Sequence, residues 1–492
     1  MAAAIKQLRV LELYSGIGGM HFALKESELN YEVVMAMDVN VNANAVYSHN
    51  FPETKVDSSS IEALSVKRFS QLQIDMVLMS PPCQPFTRVG KQQDTGDVRT
   101  KSFLHVLDLL SKVEHPPTYI LVENVKGFDC SESRDVLIET LKCRDYHYQE
   151  FLLTPLQFGI PNSRLRYFLI AKQKSLKFQF NITEGIENTV SDAAQPWLVY
   201  KNEALKKASV PGNECPCSAV SCSVTSVNDH DCDKPNKRLK TELHCGSGKP
   251  DSRCPIRTLP VSPKSENMED NVINILINSS RCIEFSHGSE CFPQDETFHK
   301  SQSGVVKCTE EHITYDCLQN YGHNMRQSNC NDPVDHKPCL RLSHFLEDDS
   351  NHFSSWTEYR LREKDFKRFV IMDVVNPCSV KTCCFTKRYG HYIEGAGSLI
   401  QMSSSIKSTK EASQLKATCI EQQNRTDWGD NELQTIRNLD LRYFTPREIA
   451  NLLCFPKDFC FPSNLTTRQK YMLLGNSLNV HIVSVLLRFL VQ

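Results

Sequence analysis

The sequence predicts an α/β fold: a doubly wound, mostly parallel sheet, a smaller second region and a long polar insert. Three observations carry this expectation. Over residues 5–172, short apolar runs alternate with amphipathic segments. The runs are apolar at consecutive positions, as in strands covered on both faces. From about 190 to 340 apolar periodicity nearly vanishes, and it returns only towards the C-terminus.

In chain order, LRVLEL (8–13), YEVVMAM (31–37), IDMVLM (74–79), TYILV (118–122), YQEFLL (148–153) and LRYFLIA (165–171) read as strands. KSFLHVLDLLSKV (101–113) has helical spacing. The stretch 190–340 is rich in Ser, Asn, Asp, His, Lys and Cys; apart from VINILI (272–277) it offers little apolar surface to offset its ordering entropy, and it reads as disordered. A second weak, polar stretch covers about 402–436. FTPREIANLLCF (444–455) and NSLNVHIVSVLLRFL (476–490) read as helices, the first capped by Thr445 with Pro446 and Glu448 behind it. The second is apolar enough to require packing on the sheet. The chain thus divides into 5–185, the insert 190–340, a region 342–440 and a closing segment 441–492.

The 492 residues carry 56 Lys+Arg against 58 Asp+Glu, a net charge of -2. That excludes a uniformly basic nucleic-acid coat but not a local basic face. The N-terminus lacks a secretory pattern and no run is expected to span a bilayer, so the expectation is a soluble, cytoplasmic monomer without membrane partners, with the nucleus as a second location. KPNKRLK (234–240) resembles a short nuclear-import signal. Twelve of the 21 cysteines fall between Cys215 and Cys339, but no CxxC pair or finger-like spacing appears, and no metal is expected.

The first strand runs into YSGIGGM (14–20), where glycines allow a tight turn and close approach by a ligand. Asp38 closes the second strand, placed to take the hydroxyls of an adenosine ribose. The glycine spacing departs from that of dinucleotide folds, so a pyrophosphate is not required. In MVLMSPPCQPFTRVG (76–90), Pro81 and Pro82 stop the strand and hold Cys83 on a rigid turn at the edge where ligands bind. A lone cysteine after a strand is more often a small buried hydrophobe. Its company points elsewhere: Glu123 ends the next strand in ENV, and SRLRYFLIA (163–171) brings Arg164 and Arg166 to a strand entry. A nucleophile, a carboxyl group and two guanidinium groups suit a planar ring with a carbonyl and a ring nitrogen, such as cytosine. The loop 87–101 beside Cys83 carries Gly, Arg and Lys and could close as a lid.

LYSGIGGM, Asp38, SPPCQPF, ENV, SRLRYFLIA and LLGNSLNVHIV (473–483) occur in the order of the cytosine-5 methyltransferase family, which the chain resembles over roughly 5–185 and 342–490. CFTKRYGHYIEGAGS (384–398), LRYFTPREIANLL and GNSLNVH look like the branch of that family that modifies an anticodon-loop cytosine, cytosine-38 of the aspartic-acid tRNA. The resemblance implies a class I, Rossmann-like methyltransferase fold with S-adenosylmethionine as cofactor. It implies that Cys83 adds to carbon 6, Glu123 engages N3, Arg166 holds O2 and Arg164 steadies the site, with methylation at carbon 5. Ile17, Gly18 and Gly19 would line the methionine part of the cofactor, Asp38 the ribose, Ile61 and Glu62 the adenine, and Ser477 would reach the cofactor from the far end of the chain.

Cys384 lies in the segment typical of the tRNA branch. YRLREKDFKRF (359–369) interleaves aromatic residues with cations, among them Lys367 and Arg368, as single-stranded loop recognition would need. An amphipathic helix with solvated charges reads the same way. Three functions stay open here: a tRNA cytosine-5 methyltransferase, a DNA methyltransferase on the same scaffold, and a non-enzymatic RNA-binding or interaction protein. The intact Cys83, Glu123, Arg164 and Arg166 speak against the third.

Overall fold

The computed structural model describes residues 6–82, 100–190, 339–347, 356–421 and 428–492, all in one compact unit. The insert read at 190–340 lies outside them except at its ends.

Eight strands form the main sheet: β1 (Leu8–Leu13), β2 (Tyr31–Met37), β3 (Val56–Asp57), β4 (Met76–Met79), β5 (Tyr119–Val125), β6 (Tyr146–Leu153), β7 (Arg166–Gln173) and β8 (Ile186–Glu187). Their order is β3-β2-β1-β4-β5-β7-β6-β8. The winding reverses between β1 and β4, so the crevice expected at a switch point opens there. All pairs are parallel except the two made by β7. The six sequence-read strands are present, two with the bounds read and four with ends moved by up to three residues.

Side-chain alternation sets the two faces. Leu11, Leu13, Val77, Met79, Ile120, Val122, Tyr167 and Leu169 belong to one core, with α4 (Lys101–Lys112) and α5 (Glu132–Cys143). Val10, Met76, Leu78, Leu121, Phe168 and Ile170 belong to the other. That second core runs on without a break into the C-terminal region. Its cover includes α1 (Gly19–Ser27) and the last helix, Val480–Val491, which starts at the cap Asn479. The two helices are tied at one end: His481 Nδ1 is 2.6 Å from Glu26 Oε1, and Arg488 donates to the carbonyls of Glu26 and Ser27 at the end of α1. By composition Thr467–Val491 is long and apolar enough to cross a bilayer, contrary to the sequence expectation; 72% of its most apolar window is buried within the protein, as in a core element.

The second region builds a three-stranded sheet from β9 (Val374–Val375), β10 (Leu399–Gln401) and β11 (Leu441–Tyr443). The cap read at Thr445 is present: its side chain accepts from Glu448 N, and Glu448 reaches back to Thr445 N, opening the helix Pro446–Leu452. Glu448 also takes both arms of buried Arg442 at 2.8 Å, which locks that helix to β11.

Two sequence readings fail here. The weak stretch 402–436 forms the helices Ile406–Glu421 and Asp430–Arg437. Their few apolar contacts, such as Ala412 and Ile436, are supplemented by Lys416, which lies over the Phe369 ring and donates to the Met372 carbonyl. Residues 359–369 form no regular α-helix but two short 3-10 segments, Trp356–Tyr359 and Glu363–Ile371.

Beneath the glycine turn lies a buried polar network. Glu12 accepts from the Tyr47 hydroxyl at 2.7 Å, and His21 Nδ1 is 2.9 Å from the same hydroxyl. Burial pushes the Glu12 carboxyl from 4.5 up to about 8, against the lowering pull of Tyr47. The folded chain therefore keeps a proton that the unfolded chain releases above about pH 4.5, so this group's contribution to stability is lost as pH rises towards 8. The slope is at most about 1.4 kcal/mol per pH unit. Glu12→Gln keeps an acceptor for Tyr47 and should flatten that loss. Urea unfolding of both proteins between pH 5 and 8 checks it, and parallel stability curves would refute the assignment.

Candidate active site

The cofactor side starts where β1 ends. Tyr14, Gly16 and Gly18 have positive φ, so the chain reverses tightly before α1. At Gly16, φ is +54° and the space beside its Cα is open, as a cradle for a ligand would be. At Gly18 a Cβ would strike Phe51 at 2.8 Å. Asp38 fixes this turn: one carboxylate oxygen accepts from Gly16 N at 2.9 Å, the other from Asn40 N at 2.8 Å. Burial raises the Asp38 pKa, and those two N–H groups oppose the rise. Two acceptor positions remain on the carboxylate. Ile61 is buried and Glu62 exposed on the turn Ile61–Ala63. Val39, missed by sequence reasoning, stands 65% exposed directly after Asp38, an apolar face beside the expected ribose position.

Ser477 comes to this turn from the other end of the chain. A Cβ on Gly19 would meet Leu478 at 3.1 Å and Ser477 Oγ at 3.3 Å. The turn and the C-terminal segment are therefore in van der Waals contact. Ile17, Gly18, Gly19, Asp38 and Ser477 are thus gathered at the carboxyl edge of β1 and β2. Open space at Gly16, spare acceptors on Asp38 and an uncapped first turn of α1 fit a zwitterionic adenosine derivative.

The reacting side lies across the switch point. Glu123 shares the face of Leu121, and Arg166 that of Phe168, two residues away on each strand. Since β7 runs antiparallel to β5, its first residue, Arg166, pairs with Val125 at the end of β5. Arg166 Nε stands 3.7 Å from Glu123 Oε1. Burial raises the Glu123 pKa, and Arg166 and Arg164 partly offset it. Cys384 sits against both arginines, its Sγ 3.4 Å from Arg164 Nη1 and 3.7 Å from Arg166 Nη2. Burial pushes that thiol up, but the two guanidinium groups outweigh it and hold it below the ordinary range.

Arg164 is 3% exposed. It donates to the carbonyls of Phe385 at 3.1 Å, Gly475 at 3.2 Å and Ser477. With the Cys384 contact, those bonds engage both terminal nitrogens and tie the segments 384–385 and 475–477 together, while its buried Nε has no hydrogen-bond partner.

Cys83 and most of the lid read at 87–101 lie outside the described residues. The turn leading to Cys83 is described as far as Pro82, and Asn124 Nδ2 approaches the Pro81 carbonyl at 3.5 Å. Asn124, the middle residue of ENV, is thus a site residue the sequence reading passed over. Lys367 and Arg368 are exposed, but no hydrogen bond or ion pair among the described residues joins them to this cluster. Phe366 and Phe369 beside them are buried, which removes those rings from base stacking. Among the described residues no group of three or more His, Cys, Asp or Glu side chains is gathered as for a metal.

Gly475 is also invisible to motif reasoning as a contact. A Cβ there would lie 2.2 Å from Lys387 N and 2.3 Å from the Thr386 carbonyl carbon, both backbone atoms. Gly475→Ala should force the segments 384–387 and 475–477 apart, costing about 3 kcal/mol and weakening cofactor binding. Gly185→Ala, with nothing within 4 Å, is the control. Thermal unfolding and cofactor titration of both variants read the difference; equal behaviour would contradict the close approach.

The sequence model of the C-5 cytosine-specific DNA methylases matches residues 8–492. A Homo sapiens tRNA (cytosine(38)-C(5))-methyltransferase is 37% identical over 489 residues, covering 99% of this chain and 100% of that protein. A Dictyostelium discoideum DNA (cytosine-5)-methyltransferase is 33% identical over 494 residues, covering 99% and 95%. Among solved structures, a mutant DNMT2 of Spodoptera frugiperda aligns with a TM-score of 0.61 at 28% identity, covering 99% of this chain and 100% of that one.

Proposed function

The chain belongs to the family of C-5 cytosine-specific DNA methylases, and on that premise we propose that it methylates carbon 5 of cytosine-38 in a tRNA anticodon loop. The aspartic-acid tRNA is the substrate its motifs favour. The relatives that carry this reading act, by name, on tRNA cytosine-38, and they match over their whole length. The observation that supports the chemistry is the convergence of Glu123, Arg166 and Cys384 beside the Pro81–Pro82 turn.

S-Adenosylmethionine is the cofactor, and when bound it supplies an electrophilic methyl group. Asp38 would take its ribose hydroxyls on the two free acceptor positions, and Ile17, Gly18, Gly19 and Ser477 would line the rest. The target base must leave its stack to reach the Glu123 edge. Cys83, one residue beyond Pro82, would add as a thiolate to carbon 6, which makes carbon 5 nucleophilic. Glu123 would share a proton with N3 as charge develops in the ring. Its pKa, raised by burial, suits that task, because the carboxyl gives up a proton less readily than an exposed one. Arg166 would donate to O2. Loss of the proton from carbon 5 then expels Cys83.

DNA is a second reading, favoured by the printed name of the Dictyostelium relative. Methyl transfer from labelled cofactor to total tRNA and to duplex DNA separates the two. The expected outcome is labelled tRNA, label mapping to cytosine-38, and none with Cys83→Ala. Labelled DNA alone would replace this reading with the second. Glu123→Gln should lower kcat at least about hundredfold while leaving cofactor affinity unchanged; single-turnover kinetics and cofactor titration check it.

A further inference from the structure

The segment after Cys384 leaves the site and returns to it. Thr386 N donates to the Ala396 carbonyl at 2.9 Å, and Cys383 N to Ser398 Oγ at 2.8 Å, so 386–396 is a closed loop with both ends beside Cys384. Its foot is rigid. Tyr389 is 3% exposed; its hydroxyl donates to the Ser398 carbonyl at 2.7 Å and accepts from Phe444 N at 2.8 Å. Gly390, at φ +75°, lies against the Tyr471 ring.

The tip is the opposite. Tyr392 is 46% exposed, the one aromatic among the large apolar side chains so exposed in the described residues. The Arg388 guanidinium lies 5.1 Å from its ring centre, and His391 meets it edge-on at 4.7 Å. No ion pair among the described residues takes up the Arg388 charge. The backbone N–H groups of His391 and Tyr392 both bond to the Arg388 carbonyl, at 3.1 and 3.0 Å, so this trio is preformed. Tyr392 is four residues from the closed end at Ala396, at most about 14 Å of chain.

We infer that Tyr392, flanked by Arg388, is a stacking platform for one unpaired base of the RNA loop next to the target cytosine. An exposed ring with a cation over one face can offer its other face to a base and the cation to a phosphate, and it accepts any base. A preformed loop avoids the ordering cost of building such a platform on binding. A protein partner would need a broader apolar surface than one ring. The inference rests on the tRNA reading above and deepens it.

The test uses the full chain with wild type, Tyr392→Ala, Tyr392→Phe and Arg388→Gln on tRNA and on an anticodon stem-loop. Tyr392→Ala should raise the KM and Kd for RNA roughly tenfold, with kcat and cofactor affinity within about twofold of wild type. Tyr392→Phe should restore wild-type values, and Arg388→Gln should weaken RNA binding and its salt dependence together. In a series of stem-loops each carrying one abasic nucleotide, one member should abolish the difference between wild type and Tyr392→Ala. If wild type methylates tRNA while Tyr392→Ala matches it, or if no abasic position abolishes the difference, the platform is overturned alone. A wild-type chain that leaves tRNA unmodified overturns the tRNA reading and the platform with it.

Discussion

One buried cation holds the site together. Arg164 stands two residues before β7, the strand that begins with Arg166, yet its guanidinium serves segments 220 and more residues further on. Burying a guanidinium without a carboxylate partner is costly unless its N–H groups are met. Here the carbonyls of Phe385, Gly475 and Ser477 meet the N–H groups of its two terminal nitrogens, though not that of its buried Nε, and burial together with the Arg166 charge lowers the Arg164 pKa. The chain can therefore keep this cation only when the CFT segment and the GNS segment are both docked. That makes one guanidinium the junction of the sheet, the second region and the C-terminal segment.

The sheet topology does the corresponding work for the reacting groups. In an all-parallel sheet, the beginning of β7 would lie at the edge opposite the ligand crevice. Because β7 runs antiparallel to β5, Arg166 at its start lies beside Val125 at the end of β5. Strand alternation then turns Glu123 and Arg166 to one face, where the C-terminal region covers them. Reversal of one strand thus delivers a cation to a ligand edge where the parallel strands bring only their last residues.

Local rules made much of this legible in the sequence. Asp38 at the end of an apolar run, the glycine turn and Thr445 with Pro446 and Glu448 each state a backbone requirement through residue type, and each appears in the structure. Long-range contact is where the sequence fell silent. Gly475 reads as part of a motif, but only packing shows that its missing side chain lets two backbones touch. The aromatics of 359–369 alternate with cations just as a stacking surface would, and composition cannot say that Phe366 and Phe369 turn inward. The helices at 406–421 and 430–437 were hidden because their polar faces outnumber their buried positions, and tertiary contacts stabilise them instead.

The looseness of the Glu123–Arg166 pair bears on function. At 3.7 Å the two are attracted but not hydrogen-bonded. A tight bidentate bridge would use up the carboxylate and keep it ionised. The spacing instead leaves Glu123 with acceptor positions, and burial raises its pKa against the pull of Arg166 and Arg164. Cys384 sits against the same arginines, which hold its thiol below the usual range although burial pushes it up. The charge balance of the site is therefore set between three side chains from β5, β7 and the CFT segment.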